Sequence, residues 1–193
     1  MKKFILVLVL AAVLATGTAF AQHPDGFGIG VLGRWDIDFI GTDDSHWGGG
    51  GVALSLKIPK VPIFWAFNVG FGADYFAFGF TGDYYIIDKI FAQDIRLGWY
   101  LGVGVFFNFI MIDYSLWGYK YERNDISVGG RVPVGIYWLA TDLIELFLEV
   151  APSLGAGIRG DTKVSYGSIS STTEGNTKFY FSLPMAFGIR FWL

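Results

Sequence analysis

From Phe179 to Leu193 the chain is apolar at every second position. Phe179, Phe181, Leu183, Met185, Phe187, Ile189, Phe191 and Leu193 share one face. Tyr180, Ser182, Pro184, Ala186, Gly188, Arg190 and Trp192 share the other. Side chains alternate between the faces of a strand and recur every 3.6 residues on a helix, so a period of two specifies a strand. The same alternation returns along most of the chain. One such strand fits many soluble sheets, but a succession of them behind a secretory leader reads as a transmembrane β-barrel.

The leader is read from three adjoining features. Lys2 and Lys3 precede the apolar run Phe4 to Leu14, and Ala19-Phe20-Ala21 forms an A-x-A cleavage site. Residues 1–21 are therefore expected to be a signal peptide, and residues 22–193 a single barrel domain. The apolar run is too short to span a bilayer as a helix, so the chain is expected to be exported through the periplasm. The formal charge of −3 becomes more negative once the two leader lysines are gone, which argues against a nucleic-acid partner. Without cysteine, disulfides, Cys-based zinc sites and a lipid anchor on an N-terminal cysteine are excluded. His23 and His46 are too few for a His-rich metal cluster, and no cofactor is expected.

Only 16% of residues are charged and 19% are aromatic, whereas a soluble domain carries about 25% charged residues. A soluble protein this apolar would expose adhesive surface; a barrel in lipid requires it. Eight strands are expected: Phe27–Phe39, Gly50–Ile58, one starting at Ile63 and reaching Tyr75, Phe80–Asp88, Ile95–Phe109, Asp125–Trp138, Ile144–Ile158 and Phe179–Leu193. Both faces of Tyr84-Tyr85-Ile86-Ile87 are apolar or aromatic, so the orientation of the fourth strand stays open. Pro133, Pro152 and Pro184 fall inside strands and each removes a ladder donor, so a bulge or kink is expected at each. An even count puts both ends on one side, with short periplasmic turns alternating with longer external connections. The longer ones include Gly41–Gly49, an aromatic loop Met111–Asn124 and a Ser/Thr-rich loop Gly160–Thr177.

The leader, the dyad strands and the ending Phe187-Gly-Ile189-Arg-Phe191-Trp-Leu193 together resemble the small eight-stranded outer-membrane barrels of the OmpA/OmpX/OmpW type. That ending is similar to the C-terminal signal read by the barrel-insertion machinery, although the family usually ends in an aromatic residue. Gly98-Trp-Tyr-Leu-Gly-Val-Gly104 and Gly129-Gly-Arg-Val-Pro-Val-Gly135 also resemble segments of small spirochaetal barrel proteins. The resemblance implies an all-β, closed, antiparallel up-and-down barrel in the outer membrane, and it names no activity.

Strand parity points Arg34, Lys57, Arg96, Arg131, Arg159 and Arg190 into the lumen, together with Asp36, Asp38, Asp74, Glu145 and Glu149. An eight-stranded barrel is only wide enough for side chains to fill it, and a buried charge needs a partner. The short turn at Leu139–Leu143 is expected to bring Glu149 near Arg131, with Arg190 approaching from the last strand. The reading is a lumen closed by ion pairs; the alternative is a narrow channel for small or apolar solutes.

Two other motifs fail on context. Gly28-Ile-Gly30-Val-Leu-Gly33 has dinucleotide spacing without the required strand before it and helix after it. Gly98-Trp-Tyr-Leu-Gly102 has helix-dimer spacing inside an alternating strand. Asp43, Asp44, Ser45 and His46 hold the residue types of a hydrolytic triad, which leaves a lipid-modifying enzyme as a second alternative, but adjacent loop residues do not converge as a triad must. Trp35, Trp65, Trp99, Trp138 and Trp192 are read as an interfacial girdle. Recognition of a host or envelope ligand is expected at external loops on the rigid scaffold, with Asp43, Asp44, His46, Trp47, Trp117 and Tyr119 as candidates. The overall expectation is a non-enzymatic outer-membrane protein surrounded by outer-membrane lipids.

Overall fold

The computed structural model describes residues 23–40, 51–71 and 74–193, and every regular element among them is a β-strand. The strands are β1 (Gly28–Ile40), β2 (Gly51–Lys57), β3 (Phe64–Phe71), β4 (Tyr75–Ala92), β5 (Leu97–Leu116) and β6 (Tyr119–Arg131). They continue with β7 (Val134–Leu139), β8 (Ile144–Val150), β9 (Ser153–Arg159), β10 (Thr162–Tyr166), β11 (Ile169–Thr173) and β12 (Thr177–Trp192). β6 and β7 form one stave beside β5, and β9 and β8 form another between that stave and β12. β12 returns to β1, so eight antiparallel staves close into a barrel. Phe27 and Leu193 exchange both backbone hydrogen bonds at the seam, at 3.1 and 2.8 Å.

The prolines break pairing without shifting it. β12 pairs Ser182 with Ser153 on one side of the break and Met185 with Val150 on the other, in one continuous register. β5 likewise keeps one register from Arg131 to Val134 across Pro133. The bulges expected at Pro133, Pro152 and Pro184 are therefore corrected: a proline loses a donor but keeps its carbonyl, and the ladder runs on through the carbonyls. Gly102 N donates to Pro133 O, Val132 N to Pro152 O and Ala151 N to Pro184 O, at 2.8, 2.9 and 2.8 Å. The Ala151 carbonyl, which a non-proline residue 184 would have served, accepts from Ser153 Oγ at 2.7 Å.

Register shifts lie elsewhere. In the β4–β5 ladder one falls between Tyr85 and Ile87, and it explains why that strand has no readable parity. Before it, Ala77, Thr81, Asp83 and Tyr85 point inward; after it, Asp88 does. A bulge inserts one residue and flips the faces beyond it.

Inward glycines determine which side chains meet. Adjacent strands lie about 4.8 Å apart, so two staves flanking a third are about 10 Å apart. Side chains on them can touch only where the middle stave carries none. Asp83, Gly104 and Arg131 lie in register on β4, β5 and β6, and a Cβ on Gly104 would sit 1.9 Å from Asp83 Oδ1. Tyr100, Gly135 and Glu149 repeat the pattern, as do Ser55, Gly30 and Arg190. Phe106 reaches toward Tyr180 across both Gly129 and Gly155.

The outer face is apolar all the way round, with Val31, Val52, Val105, Ile136, Leu148 and Phe187 exposed. β5 has 20 residues, whereas a tilted strand needs about 9–11 to cross a bilayer. Its far half, paired with β6, rises beyond the ring. The segment Met111–Asn124, expected as a loop, is thus a long hairpin closed by Trp117 and Gly118, both at positive φ. The other expected loop, Gly160–Thr177, contains the β10–β11 hairpin, which adds to the edge of β6.

Substituting Gly104 by valine should therefore part Asp83 from Arg131 and destabilise the barrel by about 1–3 kcal/mol, the usual cost of overpacking. Gly51→Ala, where an added Cβ meets nothing within 4 Å, should stay within about 0.5 kcal/mol of the parent. Urea unfolding followed by heat-shifted gel mobility measures both.

Candidate functional site

The lumen is the most charged and most buried region described. Arg190, on β12, lies directly opposite Glu145 on β8, and its guanidinium meets that carboxylate at 2.6 Å. Nε and Nη2 donate to Ser55 Oγ at 3.2 and 3.0 Å. The rings of Phe64 and Phe147 flank the guanidinium, each 4.8 Å from its centre, a cation–π arrangement that strengthens when water is absent. Glu145 is fully buried. It also accepts from Trp192 Nε1 at 2.7 Å.

A second group lies nearer the end that carries the β5–β6 hairpin. Arg131 pairs with Glu149 and lies 3.2 Å from Asp83. Tyr100 donates to Glu149 at 2.8 Å. Toward the ends of the chain, His23 enters from the segment preceding β1. Its imidazole lies 2.8 Å from Asp88 and 3.4 Å from Glu145, over the ring of Tyr137 at 3.9 Å. Tyr137 donates to Asp88 at 2.9 Å. Phe64, Tyr85 and Tyr100 form a stack with successive centroid separations of 4.1 Å. Between the two charged groups remains a cavity of about 30 Å³, bordered by Ser55, Thr81, Asp83, Arg131, Glu149 and Arg190.

The residues expected in the lumen divide as follows. Lys57, Arg131, Glu145, Glu149 and Arg190 are buried there, and Arg34 borders the 30 Å³ cavity. The side chains of Asp36 and Asp38 lie outside the described residues, as do Asp43, Asp44, His46 and Trp47. Two placements, Asp74 and Arg96, are corrected. Asp74 is exposed in the turn before β4, beyond the end of β3, where alternation no longer applies. Arg96 occupies a left-handed turn position (φ 55°) before β5 begins, and pairs at 2.7 Å with exposed Asp142 on the rim. Arg159 keeps the inward face expected of it: it ends β9 opposite buried Asp125, in a third charged group where Arg123 meets Asp125 at 3.0 Å. Trp192, expected in the girdle, points inward.

Sequence reasoning missed His23, Asp83 and Asp88; alternation pointed Tyr100 inward and left Tyr137 on the inward parity, but gave neither a role. Asp83 and Asp88 fall on either side of the β4 bulge, so no single parity places both inside. His23 precedes any strand and carries no periodic signal.

Above the ring, the ends of β5 and β6 with β10 and β11 form a four-stranded sheet with two dissimilar faces. Leu116, Tyr119, Tyr166 and Ile169 lie in one row across it, and Tyr114, Tyr121, Val164 and Ser171 in the next. This face continues the one that lower down lines the lumen. Tyr119 stacks on Tyr166 at 4.5 Å and Tyr114 on Tyr121 at 5.0 Å, while Trp117 at the tip is 90% exposed. The opposite face carries Asp113, Lys120, Glu122 and Lys163. There Lys120, hydrogen-bonded to Glu122, holds that carboxyl below its ordinary range, and Glu122 raises the lysine in return.

A closed ring of eight staves, apolar outside and ion-paired inside, defines a small transmembrane β-barrel. The chain is similar to the crystal structure of Neisserial surface protein A, with 12% sequence identity over 88% of this chain and 98% of that one, at a TM-score of 0.43. It matches no protein-family model and no curated protein sequence.

Replacing Arg190 with methionine should cost about 3–5 kcal/mol, because it leaves Glu145 buried without its main counter-charge. Adding Glu145→Gln, which still accepts from Trp192, should restore a large part of that loss in the same unfolding measurement.

Proposed function

We infer that this chain is an integral outer-membrane β-barrel that carries out no reaction, with a lumen closed by ion pairs and an outer sheet that contacts a ligand of the host or the envelope. Its wall faces outer-membrane lipids, and the barrel-insertion machinery assembles it there after the leader is removed. The end with the short turns and the seam lies toward the periplasm, and the β5–β6–β10–β11 sheet lies outside the cell. The observation that carries this reading is the pair of charge groups across the lumen, Arg190–Glu145 and Asp83–Arg131–Glu149, with only about 30 Å³ left between them. An ion passing through would have to separate buried pairs whose parting costs several kcal/mol each. The outer sheet supports the second half of the reading, since exposed aromatics on a rigid framework are the usual anchors of recognition.

Planar-bilayer conductance of refolded residues 22–193, shown to be folded by heat-shifted mobility, tests it. The expected result is the absence of discrete steps at neutral pH. Reproducible single-channel steps would overturn the closed lumen and favour a narrow channel.

A further inference from the structure

The barrel wall is one strand short near the seam end. β3 begins at Phe64, opposite Asp83, whereas β4 runs on to Ala92. Beside Tyr84–Ile87 the chain that would continue β3 is instead the irregular connection from Ile58 to Ile63. A cavity of about 420 Å³ opens there, within the size range of ligand sites. Its walls are part apolar, from Val61, Pro62, Phe64 and Tyr84, and part cationic, from Lys57 and Lys60. Tyr84 lies on the outward face of β4 and is exposed, so the cavity reaches the surface that faces lipid.

Lys57 is the informative residue. It is only 6% exposed, yet its ammonium has one hydrogen-bond partner, the Ile58 carbonyl at 3.2 Å, and one ring, Phe64, at 5.6 Å. No carboxylate of the described residues lies within ion-pair distance of it. Every other buried strand cation discussed above has such a partner. Asp25 attracts the Lys57 ammonium only from beyond ion-pair distance; an ammonium offers three donors, and a buried one with no directly paired counter-charge is costly. Lys60, on the left-handed turn at φ 63°, adds a second cation to the same cavity. Of the acidic groups there, Asp88 is engaged by His23 and Tyr137, and Asp25 accepts from Lys60 N at 3.4 Å.

We propose that this opening binds a phosphate-bearing anion, its phosphate held by Lys57 and Lys60, and that the anion is the headgroup of a phospholipid whose chain lies against Val61, Pro62, Phe64 and Tyr84. Basic pockets at membrane level recognise headgroups through this combination of cation and apolar wall. The lipid source rests on the membrane reading above; the phosphate site rests on the cavity and on Lys57.

The test is calorimetric titration of the refolded protein in nonionic detergent with a short-chain phosphatidylglycerol, the matching diacylglycerol and inorganic phosphate. The phospholipid should bind, and the diacylglycerol should not. Lys57→Met and Lys60→Gln should each weaken binding roughly tenfold, the loss of one charge-assisted contact. Lys57→Arg should retain it, and Asp25→Asn should tighten it. Unchanged binding by both Lys57→Met and Lys60→Gln, or equal binding of the diacylglycerol, would overturn the site. Inorganic phosphate binding as tightly as the phospholipid would overturn the lipid assignment. Lys60 lies on an exposed turn, so its variant keeps the test open if Lys57→Met does not fold. Insertion of the parent protein into vesicles is scored separately: a protein that inserts without binding the phospholipid fails the site alone, and one that does not insert fails the membrane reading.

Discussion

Everything inside this barrel depends on neutralising buried charge within a space about two strands wide. Arg190 cannot be solvated between Phe64 and Phe147, so it is held by Glu145 and Ser55. Glu145 in turn takes Trp192 and lies beside His23. Loss of one partner exposes the next to the same penalty, which makes the network act as a unit. The charges do not merely tolerate burial; they fix the seam, because Arg190 and Trp192 on β12 join β8 through Glu145, and Arg190 joins β2 through Ser55.

The glycines are the other half of that arrangement. In an eight-stave barrel every inward position faces the axis, and full-sized side chains at all of them would not fit. Gly104, Gly135 and Gly30 vacate single positions so that side chains two staves apart can meet over them. The glycine-rich composition, which on its face weakens a strand, is what allows the lumen to fill with long polar and aromatic groups. The prolines follow similar economy. Each gives up a donor where its carbonyl still carries the ladder, and Ser153 supplies the donor missing at Ala151.

The outer sheet and the gap beside β4 are where the barrel departs from closure. At one end, β5 and β6 overshoot the ring and recruit β10 and β11, placing aromatic rows on one face and paired charges on the other. At the other end β3 stops short of β4, and the space is bounded by the chain before β1 and by two lysines. A wall without interruption would offer a ligand only its loops; these two departures are where it has surface to offer.

The sequence by itself determined the strands and their faces. A period of two is a local property, so the inward set Lys57, Arg131, Glu145, Glu149 and Arg190 was legible from alternation, as was the approach of Glu149 to Arg131 across a short turn. Alternation fails where a strand bulges or stops, which is why Asp83 and Asp88 were missed and why Asp74 and Arg96 were placed too deep. Tertiary structure decided the rest. Which acid each arginine meets depends on register between staves distant in sequence, and on the glycine that lies between them. Whether Met111–Asn124 is a loop or a hairpin depends on β10 and β11 pairing at its edge. That His23 enters the lumen depends on carboxylates 65 and more residues away, and no local pattern in the chain encodes that distance.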